Sequence, residues 1–242
     1  MIKNNDYNLS VVFCATNESH SLMSTYSKIR CCNCAEEYIF VLSQNASDAC
    51  VATVKNICNN ADCRYFFQSS SGLGMAIREA IDDAKGSHIV VWPADDGMDT
   101  SSFSEMVRIS KENPEKIVTV SRWLAKDGFQ NYGRIRKGIN YISQKVFALL
   151  YKADLTDFTN PTQIAPLKIY REINWQGVDW DFIPEFIFKP LRLGCDFIEV
   201  PCKSLSRKEG ASNSSFLKLA RYYMIIYKIF FMSIDEITKG RN

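Results

Sequence analysis

Gly72-Leu-Gly-Met-Ala-Ile-Arg-Glu-Ala-Ile-Asp-Asp-Ala-Lys-Gly86, continued by Ser-His-Ile-Val-Val-Trp-Pro-Ala-Asp95-Asp96-Gly97, decides the fold. Gly72 and Gly74 permit positive φ or close backbone approach where a helix begins. Ala76, Ile77, Ala80, Ile81 and Ala84 recur at i, i+3, i+4, which predicts a helix from about Met75 to Ala84. Gly86 is its stop signal. The apolar run His88–Trp92 predicts a short strand covered on both faces. Asp95 and Asp96 then fall just past the carboxyl end of that strand, where open α/β sheets place ligands. A carboxylate pair there suits a divalent cation that neutralises a diphosphate.

The pattern repeats outward from this unit. Apolar runs predict strands at Leu9–Cys14, Glu37–Ser43, Cys63–Phe67, Lys116–Ser121, Thr162–Pro166 and Cys195–Val200. Amphipathic stretches predict helices at about 21–34, 49–59, 102–112 and 139–151, the last with Ile142, Val146, Leu149 and Leu150 near helical spacing. Phe182, Phe186 and Lys189 mark a further helix that Gly194 closes. Alternating strands and helices with short connections predict an α/β domain: a Rossmann-like, mostly parallel central sheet with helices on both faces. Residues 1–8 read as a polar leader, 9–215 as one domain, and 216–242 as a basic–aromatic helix and tail. Lys126–Lys137, which contains Arg134 and Arg136, reads as a mobile basic loop able to fold over phosphates.

Composition narrows the function classes. A net charge of +2 over 242 residues gives no basic field of the kind that binds nucleic acid. Nine cysteines, odd in number and scattered, with a polar Met1–Leu9 in front, suggest a reduced cytoplasmic setting. Cys31-Cys32-Asn33-Cys34 lacks the second Cys/His pair of a zinc site and reads as the end of a helix. No run reaches the roughly 18–20 apolar residues of a spanning helix.

Several segments together resemble the family 2 glycosyltransferases of GT-A fold, among them the polyprenyl-phosphate sugar transferases similar to dolichol-phosphate mannose synthase. Pro93-Ala94-Asp95-Asp96 stands at that family's Asp-Ala-Asp metal motif, with Pro93 in the first acidic position. Cys14-Ala-Thr-Asn17-Glu18 stands at its nucleotide loop, and Ser43-Gln-Asn-Ala-Ser-Asp48 at its base-binding loop, where Asp48 reads as the cap of the next helix. Ser121-Arg122-Trp123 matches a Ser-Arg-aromatic signature, and Asp154-Leu-Thr stands at the acceptor-side segment. Glu185, Gly194, Glu199-Val-Pro201 and Arg207-x-x-Gly210-x-Ser212 follow the family order.

The resemblance implies an inverting transfer of a sugar from a nucleotide-sugar donor to a polyprenyl-phosphate or saccharide acceptor, in surface polysaccharide or glycan synthesis. It implies Mg²⁺ or Mn²⁺ on Asp95 and Asp96. Donor contacts are expected from Ala15, Thr16, Asn17, Glu18, Ser43, Asn45, Asp48, Gly72, Gly74, Arg78, Asp95, Arg122, Arg134, Arg136 and Arg207. Asp181 and Glu185 are the candidate bases for a hydroxyl acceptor, whereas a lipid phosphate is already anionic and needs none. Arg221, Tyr222, Tyr223, Tyr227, Lys228, Phe230 and Phe231 give residues 216–232 two readings: an interfacial helix on the inner face of a membrane, or a helix packed on the domain. Two other functions stay open at this point. One is a non-catalytic nucleotide-sugar binder acting as a membrane-associated assembly partner. The other is a nucleotidyltransferase, although its glycine-rich signature normally follows the first strand directly.

Overall fold

The computed structural model describes residues 7–130, 132–206 and 216–240. Strands β1 (Leu9–Ala15), β2 (Glu37–Leu42), β3 (Cys63–Phe67), β4 (His88–Val91), β5 (Ile117–Ser121), β6 (Gln163–Pro166) and β7 (Phe197–Pro201) form one sheet in the order β3-β2-β1-β4-β6-β5-β7. Only β6 runs antiparallel to its neighbours. Between the strands lie α1 (His20–Cys31), α2 (Asp48–Ile57), α3 (Leu73–Asp83), α4 (Phe103–Glu112, entered through a 3-10 turn at Thr100–Ser102), α5 (Arg134–Tyr151), α6 (Leu167–Glu172) and α7 (Phe182–Arg192). Helices α8 (Phe216–Phe231) and α9 (Ile234–Ile237) follow β7.

The strands are apolar in nearly every position because both sheet faces are covered. Val11, Phe13, Tyr38 and Phe40 point into a core closed by α1, α2 and α4. Val12, Ile39 and Val41 point into a second core closed by α3, α6 and α7. A third cluster joins α5, α7 and α8 through Phe147, Phe158, Phe188 and Ile226. Through it α8 packs on the domain, yet it leaves Met224, Tyr227 and Phe231 exposed. Among the described residues no helix is long and apolar enough to cross a membrane.

Two expectations change here. Helix α5 begins at Arg134 rather than Ile139, so Arg134, Arg136 and Lys137 sit on its first turns and not in a loop. The polar, basic composition hid a stretch free of internal breakers apart from Gly138. Asp48 is not the α2 cap. Ser47 is, with its side chain accepting from the Cys50 N–H, and Asp48 is the exposed first residue of the helix. The short helix α6 carries no clear sequence signal; its buried Leu167 and Tyr170 are held by tertiary packing.

Candidate active site

Strand β1 has β2 on one side and β4 on the other, so successive connections leave it in opposite directions. That is a topological switch point, which opens a crevice at the carboxyl ends of β1 and β4. The loops at this edge are laced together by backbone hydrogen bonds. Ser43 N–H donates to Ala15 O at 3.0 Å and Ser47 N–H to Thr16 O at 2.9 Å. The Glu18 carboxylate accepts from the Thr16 and Asn17 N–H groups at 2.8 and 3.0 Å, which fixes the loop after β1. The Gln44 side chain donates to Ser69 O at 2.9 Å, tying in the loop after β3. Asn17, Asn45 and Asp48 are exposed, Thr16 and Ser43 are half-buried, and Ala15 is buried at the strand end.

The acidic turn splits into two roles. Asp95 is half-buried, and its Oδ1 accepts from the Gly97 N–H at 2.9 Å. Asp96 sits in the left-handed region at φ 55°, 2% exposed, and faces α1. Its carboxylate accepts from Ser24 and Thr25 hydroxyls, both at 3.1 Å, and pairs with Lys28 Nζ at 2.8 Å. Asp96 is therefore a fastening of the turn to α1 rather than a metal ligand. Lys28, Ser24 and Thr25 were not legible as its partners, being about seventy residues away in sequence. Among the described residues, no group of three His, Cys, Asp or Glu is placed to hold a metal ion. The donor set at the motif is one carboxylate, Asp95. It fits a Mg²⁺-type ion that keeps waters and shares a substrate's phosphates, and not a self-sufficient protein cage.

Three further assignments change. Arg122 does not offer its fork to a phosphate. Its Nε and Nη2 bind the two Asp157 oxygens at 2.7 and 2.8 Å, and Nη2 also meets the Thr159 hydroxyl at 2.6 Å. Burial works against both charges, and each nevertheless holds the other ionised: the Asp157 carboxyl lies below its usual range and the Arg122 guanidinium above. Glu199 braces this pair from β7 by accepting from Thr156 and Asp157 N–H groups at 2.8 and 2.9 Å. The sequence signal for Asp157 was Arg122 itself, an arginine at a strand end in need of a buried carboxylate. Asp154, the residue aligned by resemblance, is exposed.

Glu185 is 4% exposed and forms a clamp. Its oxygens accept from Gln176 and Gly177 N–H groups at 2.8 and 2.9 Å, and Oε2 pairs with the fully buried Lys189 at 2.9 Å. Lys189 also donates to Asn174 O. Asp181 turns the adjacent loop. Oδ1 accepts from Val178 and Asp179 N–H groups at 3.0 and 2.7 Å, while Oδ2 pairs with Arg221 of α8 at 2.7 Å. Each candidate base is thus engaged in holding residues 176–181.

That loop explains the two glycines. Gly72 has φ 117°, and a Cβ there would lie 2.2 Å from Val178 O; one on Gly74 would lie 2.6 Å from Gly177 O. The glycines admit the loop to the start of α3, where Met75 N–H donates to Val178 O at 3.1 Å and Asp179 lies near the Leu73 N–H. Both glycines are required by this packing. Arg78 follows one turn on, half-buried, with a guanidinium nitrogen 3.6 Å from Met75 Sδ.

The segment before α5 is tied, through residues 204–205, to the end of the acidic turn. Leu205 N–H donates to Gly97 O at 2.8 Å, Ser204 N–H to Gly128 O at 2.9 Å, and Gln130 N–H to Ser204 O at 3.3 Å. Tyr132 and the start of α5 follow this stitched segment in the chain, and Arg136 stacks 5.0 Å from the Tyr132 ring centroid. Arg207, with Gly210 and Ser212, lies outside the described residues.

The family profile described as Glycosyl transferase family 2 matches residues 10–173, more than half of the chain. The chain belongs to glycosyl transferase family 2. It is accordingly an enzyme of the nucleotide-sugar-dependent class, with the GT-A fold the sheet order displays. No curated protein sequence matches it. Among solved structures, glucosyl-3-phosphoglycerate synthase from Mycobacterium tuberculosis in complex with Mn²⁺, UDP and phosphoglyceric acid superposes with TM-score 0.71 at 13% identity, over 95% of this chain and 81% of that one. The same synthase with Mg²⁺ and UDP gives TM-score 0.71 at 13% identity, covering 95% and 82%. With Mn²⁺, UDP-glucose and phosphoglyceric acid it gives 0.69 at 12% identity, covering 95% and 82%. At such identities the likeness of this glycosyltransferase to the synthase is one of fold.

Proposed function

We infer that this family 2 glycosyltransferase holds its nucleotide-sugar donor in the crevice between the loops after β1 and β4. In this reading Asp95 is the protein's carboxylate on a Mg²⁺ or Mn²⁺ that the donor diphosphate helps to retain. The observation that carries it is the single half-buried carboxylate at the switch point, just past the carboxyl end of β4. The synthase complexes, which contain Mn²⁺ or Mg²⁺ together with UDP, support the class of cation. When bound, the cation acts as a Lewis acid for the departing nucleoside diphosphate. Ala15, Thr16, Asn17, Ser43, Asn45 and Asp48 line the nucleoside side, and Glu18 holds that loop in place. Arg134 and Arg136, with Arg207 by its place in the sequence run, supply positive charge to the phosphates.

The acceptor follows from the proton balance. A sugar hydroxyl needs a base, and both candidate carboxylates are committed to backbone N–H groups and to Lys189 or Arg221. A phosphate acceptor arrives anionic and needs none. This favours a lipid phosphate, such as a polyprenyl phosphate, over a saccharide, and with it a role at the cytoplasmic face of a membrane in glycan assembly.

The test is thermal stabilisation by a panel of nucleoside diphosphate sugars with and without Mn²⁺. Ligand at about 100 Kd adds roughly 2.7 kcal/mol by mass action. A metal-dependent shift with one nucleotide, lost in Asp95→Asn, is expected. A shift that survives Asp95→Asn removes the metal assignment. Transfer to free sugars but not to a detergent-dispersed lipid phosphate overturns the acceptor.

A further inference from the structure

Helix α5 carries its apolar stripe on the wrong side for a core helix. Ile135, Ile139, Ile142, Val146 and Leu149 are spaced 4, 3, 4, 3 and so share one face of the helix. Their exposures are 82%, 52%, 65%, 53% and 82%. The opposite face is the buried one, and it is largely polar. Gln144 accepts from the Phe158 N–H at 2.7 Å, the Ser143 and Tyr223 hydroxyls meet at 2.5 Å, and Phe147 supplies the ring contacts. Folding of this chain therefore leaves a continuous four-turn apolar seam in water, which a soluble surface does not need.

The charges beside the seam say what covers it. Arg134, Lys145 and Lys152 are exposed, and α5 contains no acidic residue. On the helical wheel Arg134, Lys145 and Lys152 form a row along one margin of the stripe. A second copy docked seam to seam would bring these rows of like charge together. A bilayer surface with anionic headgroups instead accepts the seam among its acyl chains and the long cationic side chains among its phosphates.

We propose that the outer face of α5 docks this protein on an anionic membrane surface. The seam starts at Ile135, five residues after Gln130, whose N–H is tied to Ser204 O. The inference rests on the membrane placement proposed above and adds which surface makes the contact; the vesicle assay contains neither donor nor acceptor, so its failure leaves the transfer reading standing. It also differs from an interfacial role for residues 216–232, where α8 buries Ile226 and Ile229, and Met232 just past its end, in the domain.

The experiment is co-sedimentation of the full chain with vesicles of phosphatidylcholine alone or with about 30% phosphatidylglycerol, at low and high salt. Partitioning onto the anionic vesicles is expected to be roughly tenfold or more stronger, and to fall with salt. An Ile142→Asp/Leu149→Asp variant should lose roughly tenfold or more of that binding at an unchanged thermal midpoint, because both side chains are solvent-facing. Lys145→Glu/Lys152→Glu should weaken anionic binding alone. Binding that survives both variants, or that only Met224→Asp/Phe231→Asp abolishes, overturns the proposal. So does a concentration-dependent dimer that the Ile142→Asp/Leu149→Asp variant dissociates, which would assign the seam to a second copy.

Discussion

Glu185→Gln separates a clamp from a catalytic base. The glutamate side chain is 6% exposed and that of its partner Lys189 is 0% exposed, at 2.9 Å. Removing one member of a buried ion pair leaves the other charge uncompensated, at a cost of about 3–5 kcal/mol. The amide keeps one oxygen for either the Gln176 or the Gly177 N–H group, and its NH₂ cannot accept from the other or from Lys189. For a chain of this size, each kcal/mol moves the melting midpoint by about 2–4 °C, so the fall should be about 6–20 °C. Burial already holds the Lys189 amine below its usual range despite Glu185, so the deficit should ease once the lysine is removed too. Glu185→Gln/Lys189→Met should recover much of the loss, because an apolar replacement of a buried pair is often neutral. The assays are urea and thermal melts, together with sugar transfer measured well below the midpoint. A general base contributes about 10²–10⁴-fold to rate. A Glu185→Gln protein with wild-type stability and a hundredfold loss of turnover would refute the clamp and restore the base.

Three other outcomes are expected. Asp96→Asn should keep Mn²⁺-dependent donor stabilisation and lose only about 1–3 kcal/mol of stability, since Lys28 is half exposed and hydroxyl contacts dominate; loss of metal dependence would return Asp96 to the ligand set. Gly74→Ala should destabilise by about 1–3 kcal/mol, because its Cβ would meet Gly177 O at 2.6 Å and Phe182 Cβ at 2.8 Å; an unchanged melt would mean the 176–182 segment yields freely. His88, whose ring nitrogens meet Ser87 Oγ at 2.9 Å and Pro114 O at 2.8 Å, is held neutral by burial, with its pKa lowered. A depressed folded pKa means stability that is full above the unfolded value of about 6.5 and is lost as pH falls below it toward the folded value. The midpoint should therefore drop between about pH 7 and 5, and less so in His88→Gln; superimposable profiles would discount the histidine.

Most of the frame was legible because it depends on short-range pattern. Cys63–Phe67 was read to the residue, and β1, β2, β4 and β5 to within one, since runs apolar at every position have few alternatives to a doubly covered strand. The loop positions at the carboxyl edge followed from strand order. The occupancy of individual side chains did not. Arg122, Asp181 and Glu185 sit where a catalytic family suggests chemistry, and the fold uses their oxygens and nitrogens to hold loops.

What the sequence determined by itself was the alternation of buried strands and amphipathic helices, the glycine turn before α3 and the acidic turn after β4. Periodicity, steric freedom and chain stiffness are local properties, and residues near in sequence suffice to express them. Only the tertiary structure decided that Asp95 stays at the crevice while Asp96 turns to Lys28. It also decided that β6 runs against its neighbours and that the apolar stripe of α5 faces outward. Each of those outcomes depends on which distant group satisfies a charge, a backbone edge or an apolar face, and that is settled only when the layers pack.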